Sequence, residues 1–187
     1  MILPIVAYGT PVLKQKGAFI DPEHPGLKEL IDNMFETMYH APGVGLAAPQ
    51  VGHSIRLFVL DASPFSDEHP ELDGVKKVFI NAEIVEELGD DWKFNEGCLS
   101  IPHIREDVDR KPTIRMKYQD ENFNSFEETF DGILARIIQH EYDHIDGILF
   151  TDRLSQLRRT LLRGKLQDIS KGRVKVDYRM KFPQLRR

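Results

Sequence analysis

The chain contains one cysteine, Cys98, so no intrachain disulfide can form and the fold must be held by its core. A lone thiol suits a reducing compartment, and the expected location is the cytoplasm. No apolar run approaches the ~20 residues that a bilayer-spanning helix needs, so no membrane partner is expected. The N-terminus, Met1 to Val6, is apolar but short. It carries no basic leader and no clear cleavage site, and it reads as a first strand rather than a signal peptide. Internal repeats and low-complexity tracts are also missing. Gly43-Val44-Gly45 lacks the spacing of a phosphate-binding loop, which argues against a nucleotide site.

What remains is the composition of a globular domain. With 187 residues, 41% of them hydrophobic, the chain is long enough to bury a core in one domain spanning residues 1–187. The net charge of −5 is spread unevenly. Residues after Asp152 hold about a dozen lysines and arginines against about two acids. A solvated helix face and tail is the ordinary explanation. The sharper one is contact with something anionic such as RNA; no DNA partner is expected.

Apolar positions at Leu27, Leu30, Ile31, Met34, Phe35 and Met38 repeat with helical spacing, and Pro42-Gly43 ends that helix. Ile55 to Leu60 and Val78 to Val85 read as strands. Thr113 to Tyr118 and Ser125 to Phe130 alternate apolar and polar residues around a turn, a hairpin pattern. Asp131 is placed to cap a helix running to about Asp146, where Gly147 stops it. A third helix is expected over about Ser155 to Ile169, with Leu157, Leu161, Leu162, Leu166 and Ile169 inward. Val174, Val176, Tyr178 and Met180 alternate with charged residues as a final strand. The expected class is α+β: antiparallel strands packed around a central helix, with an N-terminal helix, a C-terminal helix and a C-terminal strand.

That central helix carries His140-Glu141-Tyr142-Asp143-His144. Residues four apart on a helix lie on one face, so the two imidazoles can hold one metal ion while Glu141 reaches an activated water as general base. Catalytic sites of this kind use three protein ligands and keep one position open. Cys98, the only thiol, sits in Glu96-Gly97-Cys98-Leu99-Ser100, between strand-like segments, and is the expected third ligand as thiolate. A lone cysteine is by itself more often an inert core residue; the HExxH helix in the same small domain reverses that weighting.

Three segments then act together. Gly43-Val44-Gly45-Leu46-Ala47-Ala48-Pro49-Gln50, Glu96-Gly97-Cys98-Leu99-Ser100 and Gln139-His140-Glu141-Tyr142-Asp143-His144 resemble the signature segments of the peptide deformylases, in that family's order. Ile2-Leu3-Pro4-Ile5 and Pro49-Gln50-Val51-Gly52 are similar to the family as well. The resemblance implies a metal-dependent hydrolase that removes the N-formyl group from the initiator methionine of nascent proteins and releases formate. It implies that Cys98, His140 and His144 bind the metal, ferrous iron with nickel or zinc as substitutes. It implies that Glu141 takes a proton from the water and later passes it to the leaving amine. Gln50, through its side-chain amide, and Leu99, through its backbone N–H, are implied to form the oxyanion hole; both are neutral donors that need no titration. The Gly45 backbone is implied to pair with the extended peptide. Val44, Ile133 and Ile137 are implied to line the methionine pocket.

Around that constellation, Glu96 is grouped with the substrate-binding residues and is expected to brace the cysteine loop as an ion pair with Arg105. The family resemblance implies that Arg110 reaches Asp143; Asp143 and Asp146 read first as helix-surface or C-terminal turn residues, with orientation of a ligand histidine as the alternative. His24, His40, His53, His69 and His103 lack ligand spacing and read as surface or structural. Arg136 faces the same side as His140, where an apolar residue would make a simpler pocket. Some relatives end in a long helix associated with ribosome docking; here the tail reads as helix then strand, and transient ribosome contact through the basic C-terminal region is the corresponding expectation. Two other readings compete. An HExxH peptidase usually finds its third ligand downstream as His or Glu, and a structural metal site presents four protein ligands.

Overall fold

A computed structural model describes residues 1–183, and among them the architecture is α+β with three helices and nine strands. The N-terminal strand is short, β1 at Ile5–Val6. Helix α1 spans Leu27–His40 and is followed by β2 at Gly45–Ala47 and β3 at Leu57–Asp61. Then come β4 at Lys76–Leu88, β5 at Trp92–Cys98, β6 at Ile101–Arg110, β7 at Thr113–Gln119 and β8 at Ser125–Asp131. Helix α2 occupies Gly132–Ile145, α3 Gln156–Ser170, and β9 closes the chain at Met180–Lys181.

The main sheet runs β2-β3-β4-β7-β8, antiparallel at each neighbouring pair. Period-two alternation in β3 explains why that strand reads as continuously apolar. Leu57 and Val59 join Val78 and Ile80 and the inward stripe of α1, whereas Phe58 and Leu60 join Phe79 and residues of α2. Both faces of the sheet are therefore covered by a helix. Each of these buried side chains contributes about 1.5–3 kcal/mol of transfer free energy. The β5–β6 hairpin pairs separately and packs into a third cluster with Leu13, Phe150, Leu162 and Leu166. Among the described residues no helix is long and apolar enough to cross a membrane.

Helix α2 stops where Gly147 takes a left-handed φ of 74°. The Gly147 N–H donates to the His144 carbonyl at 3.2 Å and the Ile148 N–H to the Asp143 carbonyl at 2.8 Å, the paired bonds of a Schellman end. This places His140 and His144 in the last turns of a well-terminated helix.

Three local expectations need correction. Asp131 makes no side-chain capping bond, because it still belongs to β8, paired with Thr113; the Gly132 N–H bonds instead to the Pro112 carbonyl at 3.0 Å. Cap formation in α3 falls to Ser155, whose hydroxyl accepts from the Arg158 N–H. Leu157 and Leu161 are 69% and 62% exposed, since Leu162, Leu166 and Ile169 form the inward stripe and one residue along a helix turns ~100° away. The final strand is confined to Met180–Lys181, parallel to β1; residues 174–178 alternate in burial yet pair with no strand.

Candidate metal centre

The turn between β5 and β6 brings Cys98 to the end of α2. The Cys98 sulfur and ring nitrogens of His140 and His144 all lie within 4.8 Å of one another, with Sγ 3.4 Å from His144 Nε2. Glu96 accepts a hydrogen bond from His140 Nδ1 at 3.0 Å, which leaves Nε2 as that ring's free lone pair. Four buried side-chain atoms have no partner among the described residues, Trp92 Nε1, Arg136 Nε, Glu141 Oε2 and His144 Nδ1, and the last two belong to the HExxH segment. A thiolate and two imidazoles form a borderline donor set that first-row divalent ions accept, and three protein ligands leave a position open. The residues present thus fit a catalytic metal.

The field at the centre has identifiable causes. Burial favours neutral Glu96, but the hydrogen bonds from His140 and Arg110 outweigh it and hold the carboxyl well below the usual range. Burial works against a charged His140, yet the Cys98 sulfur and Glu96 outweigh it and raise its proton affinity well above the ordinary value. The same surroundings attract any cation placed between these groups. Burial, helped by the neighbouring His140, pushes His144 well below its ordinary value, keeping a neutral ring. Burial pushes the Glu141 carboxyl up to about 7.

A buried charge network sets the spacing between the hairpin and α2. Glu96 accepts from Arg110 Nε at 2.7 Å and from Arg110 Nη2 and Arg136 Nη1 at 3.0 Å each. Arg110 Nη1 donates to Asp143 at 2.8 Å, as expected, and Arg153 clamps the same carboxylate with two bonds of 2.6 Å. The expected Glu96–Arg105 pair does not form. In the antiparallel register Arg105 lies opposite Gly97, so it shares a face with Gly97 and not with Glu96; its guanidinium bonds to Asn95 instead. Asp146 pairs with Arg56 and Asp143 with arginines, so neither orients a histidine of the cluster; Glu96 holds His140.

The Gln50 side chain is 2% exposed. Its Oε1 accepts the Ala47 N–H at 2.9 Å, which turns Nε2 toward Cys98 Sγ at 3.5 Å and Ser100 Oγ at 3.4 Å. Both contacts are long, so the amide keeps donor capacity. Gly45 must stay without a side chain: a Cβ there would lie 2.7 Å from Glu141 Cδ.

These groups open onto a cleft of about 610 Å³ whose lining includes Val44, Gly45, Glu96 and Ile137. Ile133 is not among its lining residues; it lies one turn nearer the start of α2 and packs with the second core cluster. Arg136 lines the cleft, but its guanidinium is tied to Glu96 and to the Val108 and Trp92 carbonyls and stacks 4.6 Å over the Trp92 ring. A groove of about 1110 Å³ between α1 and the β7–β8 turn is larger, but it contains none of the three candidate ligands Cys98, His140 and His144. His103 and Tyr178, which also line the cleft, carry no local motif that would mark them in the sequence.

Residues 2–160 match the family described as polypeptide deformylase. A peptide deformylase of Christiangramia forsetii is 55% identical over 195 residues, covering 100% of this chain and 99% of its own. One from Flavobacterium johnsoniae is 58% identical over 189 residues, covering 97% and 96%. The crystal structure of peptide deformylase from Thermus thermophilus superposes with a TM-score of 0.81 at 41% identity, covering 92% of this chain and 99% of that one.

Proposed function

The chain belongs to the polypeptide deformylase family, and we propose that its Cys98, His140 and His144 cluster is where the reaction takes place. The protein is an enzyme, a hydrolase that removes the N-formyl group from N-formylmethionyl termini of nascent peptides and releases formate. The observation that carries the reading of the site is the meeting of one sulfur and two ring nitrogens beside a buried carboxylate oxygen with no partner.

Cys98, His140 and His144 hold one divalent ion, with ferrous iron as the working metal and nickel or zinc as substitutes. When bound, that ion activates water as a nucleophile near neutral pH and polarises the formyl carbonyl. Glu141 receives the proton released by the attacking water at its free Oε2 and returns it to the amine that leaves. Gln50 Nε2 and the Leu99 N–H donate to the oxygen on which negative charge develops. Because β2 is an edge strand, the Gly45 backbone offers an open rim along which the extended peptide adds. Val44 and Ile137 take the methionine side chain, with Glu96 behind them bracing His140. The antiparallel strands pack around the HExxH helix, and residues 1–187 work as one metallohydrolase domain in the cytoplasm.

Cys98→Ser tests the ligand assignment. A hard hydroxyl replaces a thiolate, so bound metal measured by mass spectrometry falls from one ion per chain to a small fraction after dialysis, and formate release falls with it. Full metal retention by this variant would remove Cys98 from the ligand set. For the basic C-terminal region, transient ribosome contact is the reading we favour. Its support is the exposed pair Arg159 and Arg163, one helical turn apart on α3. Co-sedimentation with ribosomes that survives Arg159→Glu combined with Arg163→Glu would rule it out.

A further inference from the structure

One wall of the cleft comes from beyond the family match, which ends at residue 160. Lys175, Val176, Asp177 and Tyr178 all line it. This segment is pinned by two side-chain bonds to the main chain. His103 Nε2 lies 2.6 Å from the Lys175 carbonyl, and the Tyr178 hydroxyl donates to the Leu99 carbonyl at 2.8 Å. Past it, the Ile5 and Ala7 N–H groups donate to the Arg179 and Lys181 carbonyls at 2.9 Å, so the chain's two terminal segments lock together beside the cysteine turn. His103 takes a left-handed φ of 63°, a backbone state that non-glycine residues seldom hold unless their surroundings impose it.

Leu99 sits at the centre of these contacts, where the Cys98–Leu99 and Leu99–Ser100 peptides meet. Its carbonyl is held by Tyr178, and the next carbonyl, that of Ser100, by the Tyr8 N–H at 2.9 Å. On its other side is the ligand Cys98. Among the described residues no backbone acceptor takes the Leu99 N–H. Its direction is therefore set by what anchors the residues on either side of it. We propose that Tyr178 is a positioning residue for deformylation: its hydroxyl, delivered by the C-terminal segment, anchors the Leu99–Ser100 peptide, and through the shared Leu99 Cα this restrains the neighbouring Cys98–Leu99 peptide so that the Leu99 N–H is aimed at the developing oxyanion. This rests on the reading of Leu99 as an oxyanion donor.

An oxyanion donor acts in the transition state and not in the ground state, so loosening one lowers kcat and leaves KM alone. Losing a donor outright costs about 10²–10³ in kcat; a donor that stays but is no longer held costs less, about 5- to 20-fold. The test compares full-length wild type with Tyr178→Phe, both metal-loaded, on a formyl-Met tripeptide. The phenyl ring preserves the packing and removes only the hydroxyl. The expected result is a kcat about 5- to 20-fold lower, KM within about twofold, and metal content unchanged. Hydrogen exchange at the Leu99 and Ser100 amides of the zinc-loaded proteins gives a reading independent of turnover, and exchange should be faster in the variant. Unchanged kcat with unchanged exchange, or a loss confined to KM, overturns the positioning role while leaving the deformylase reading intact. A metal-loaded, folded wild type that releases no formate overturns the deformylase reading, and this proposal with it.

Discussion

Glu141→Ala lowers kcat for formate release by about two to four powers of ten while one metal ion per chain remains bound. The expectation follows from where the carboxylate sits. Glu141 is not one of the three converging side chains proposed as ligands, so removing it leaves that donor set complete. It lies against the Gly45 backbone, at the edge strand proposed to receive the peptide, with one oxygen buried and unpartnered. A buried acceptor with no protein partner costs free energy unless a water or ion supplies one, and the attacking water proposed here would do so. The check is steady-state kinetics beside metal analysis on the same preparation. Undiminished turnover in the variant would mean that the glutamate moves no proton. Loss of metal together with activity would instead mean that Glu141 helps to hold the ion.

The second large effect concerns Glu96. Its side chain is 4% exposed, and four donor atoms from Arg110, Arg136 and His140 converge on it. Glu96→Ala leaves two arginines buried at 1% and 2% exposure without their shared counter-charge. Removing one partner of such a buried group costs about 3–5 kcal/mol, much of it the penalty on the charges left behind. The same change frees His140 to rotate and swap tautomers, and loss of a ligand's supporting carboxylate costs about 10- to 100-fold in metal affinity. Urea unfolding of the metal-free proteins reads the first effect, and competition with a chelator reads the second. A variant as stable as wild type would show that Arg110 and Arg136 find other partners or water. Stability lost without any change in metal affinity would confine Glu96 to holding the hairpin on α2.

How much of this is legible in the sequence depends on the range of the interaction. His140, Glu141 and His144 are readable because helical periodicity is local, and Gly147 marks where the helix ends. Cys98 is readable because it has no competitor as a thiol. The partners of Glu96 are not, because they depend on the register of β5 against β6. A shift of one residue exchanges the faces of the sheet, and that puts Arg110 beside Glu96 and Arg105 away from it. The stripe on α3 is overdrawn for a related reason: leucine spacing alone does not say which of two adjacent stripes faces the core, and the exposed pair is Leu157 and Leu161. Residues 174–178 alternate in burial as a strand would, yet they run along the cleft, with Lys175 to Tyr178 all lining it, and have no neighbouring strand among the described residues to pair with. Contacts between the cysteine turn and the C-terminal segment, such as Tyr178 with Leu99, span 79 positions and leave no local trace.

The most direct test of the account is formate release from a formyl-Met peptide by protein stripped of metal and then titrated anaerobically with ferrous iron. The expected result is no release by the stripped protein and a rate that rises with bound iron to a plateau at one ion per chain. Release that persists at full rate without metal, or a folded and fully loaded protein that releases no formate, would contradict it.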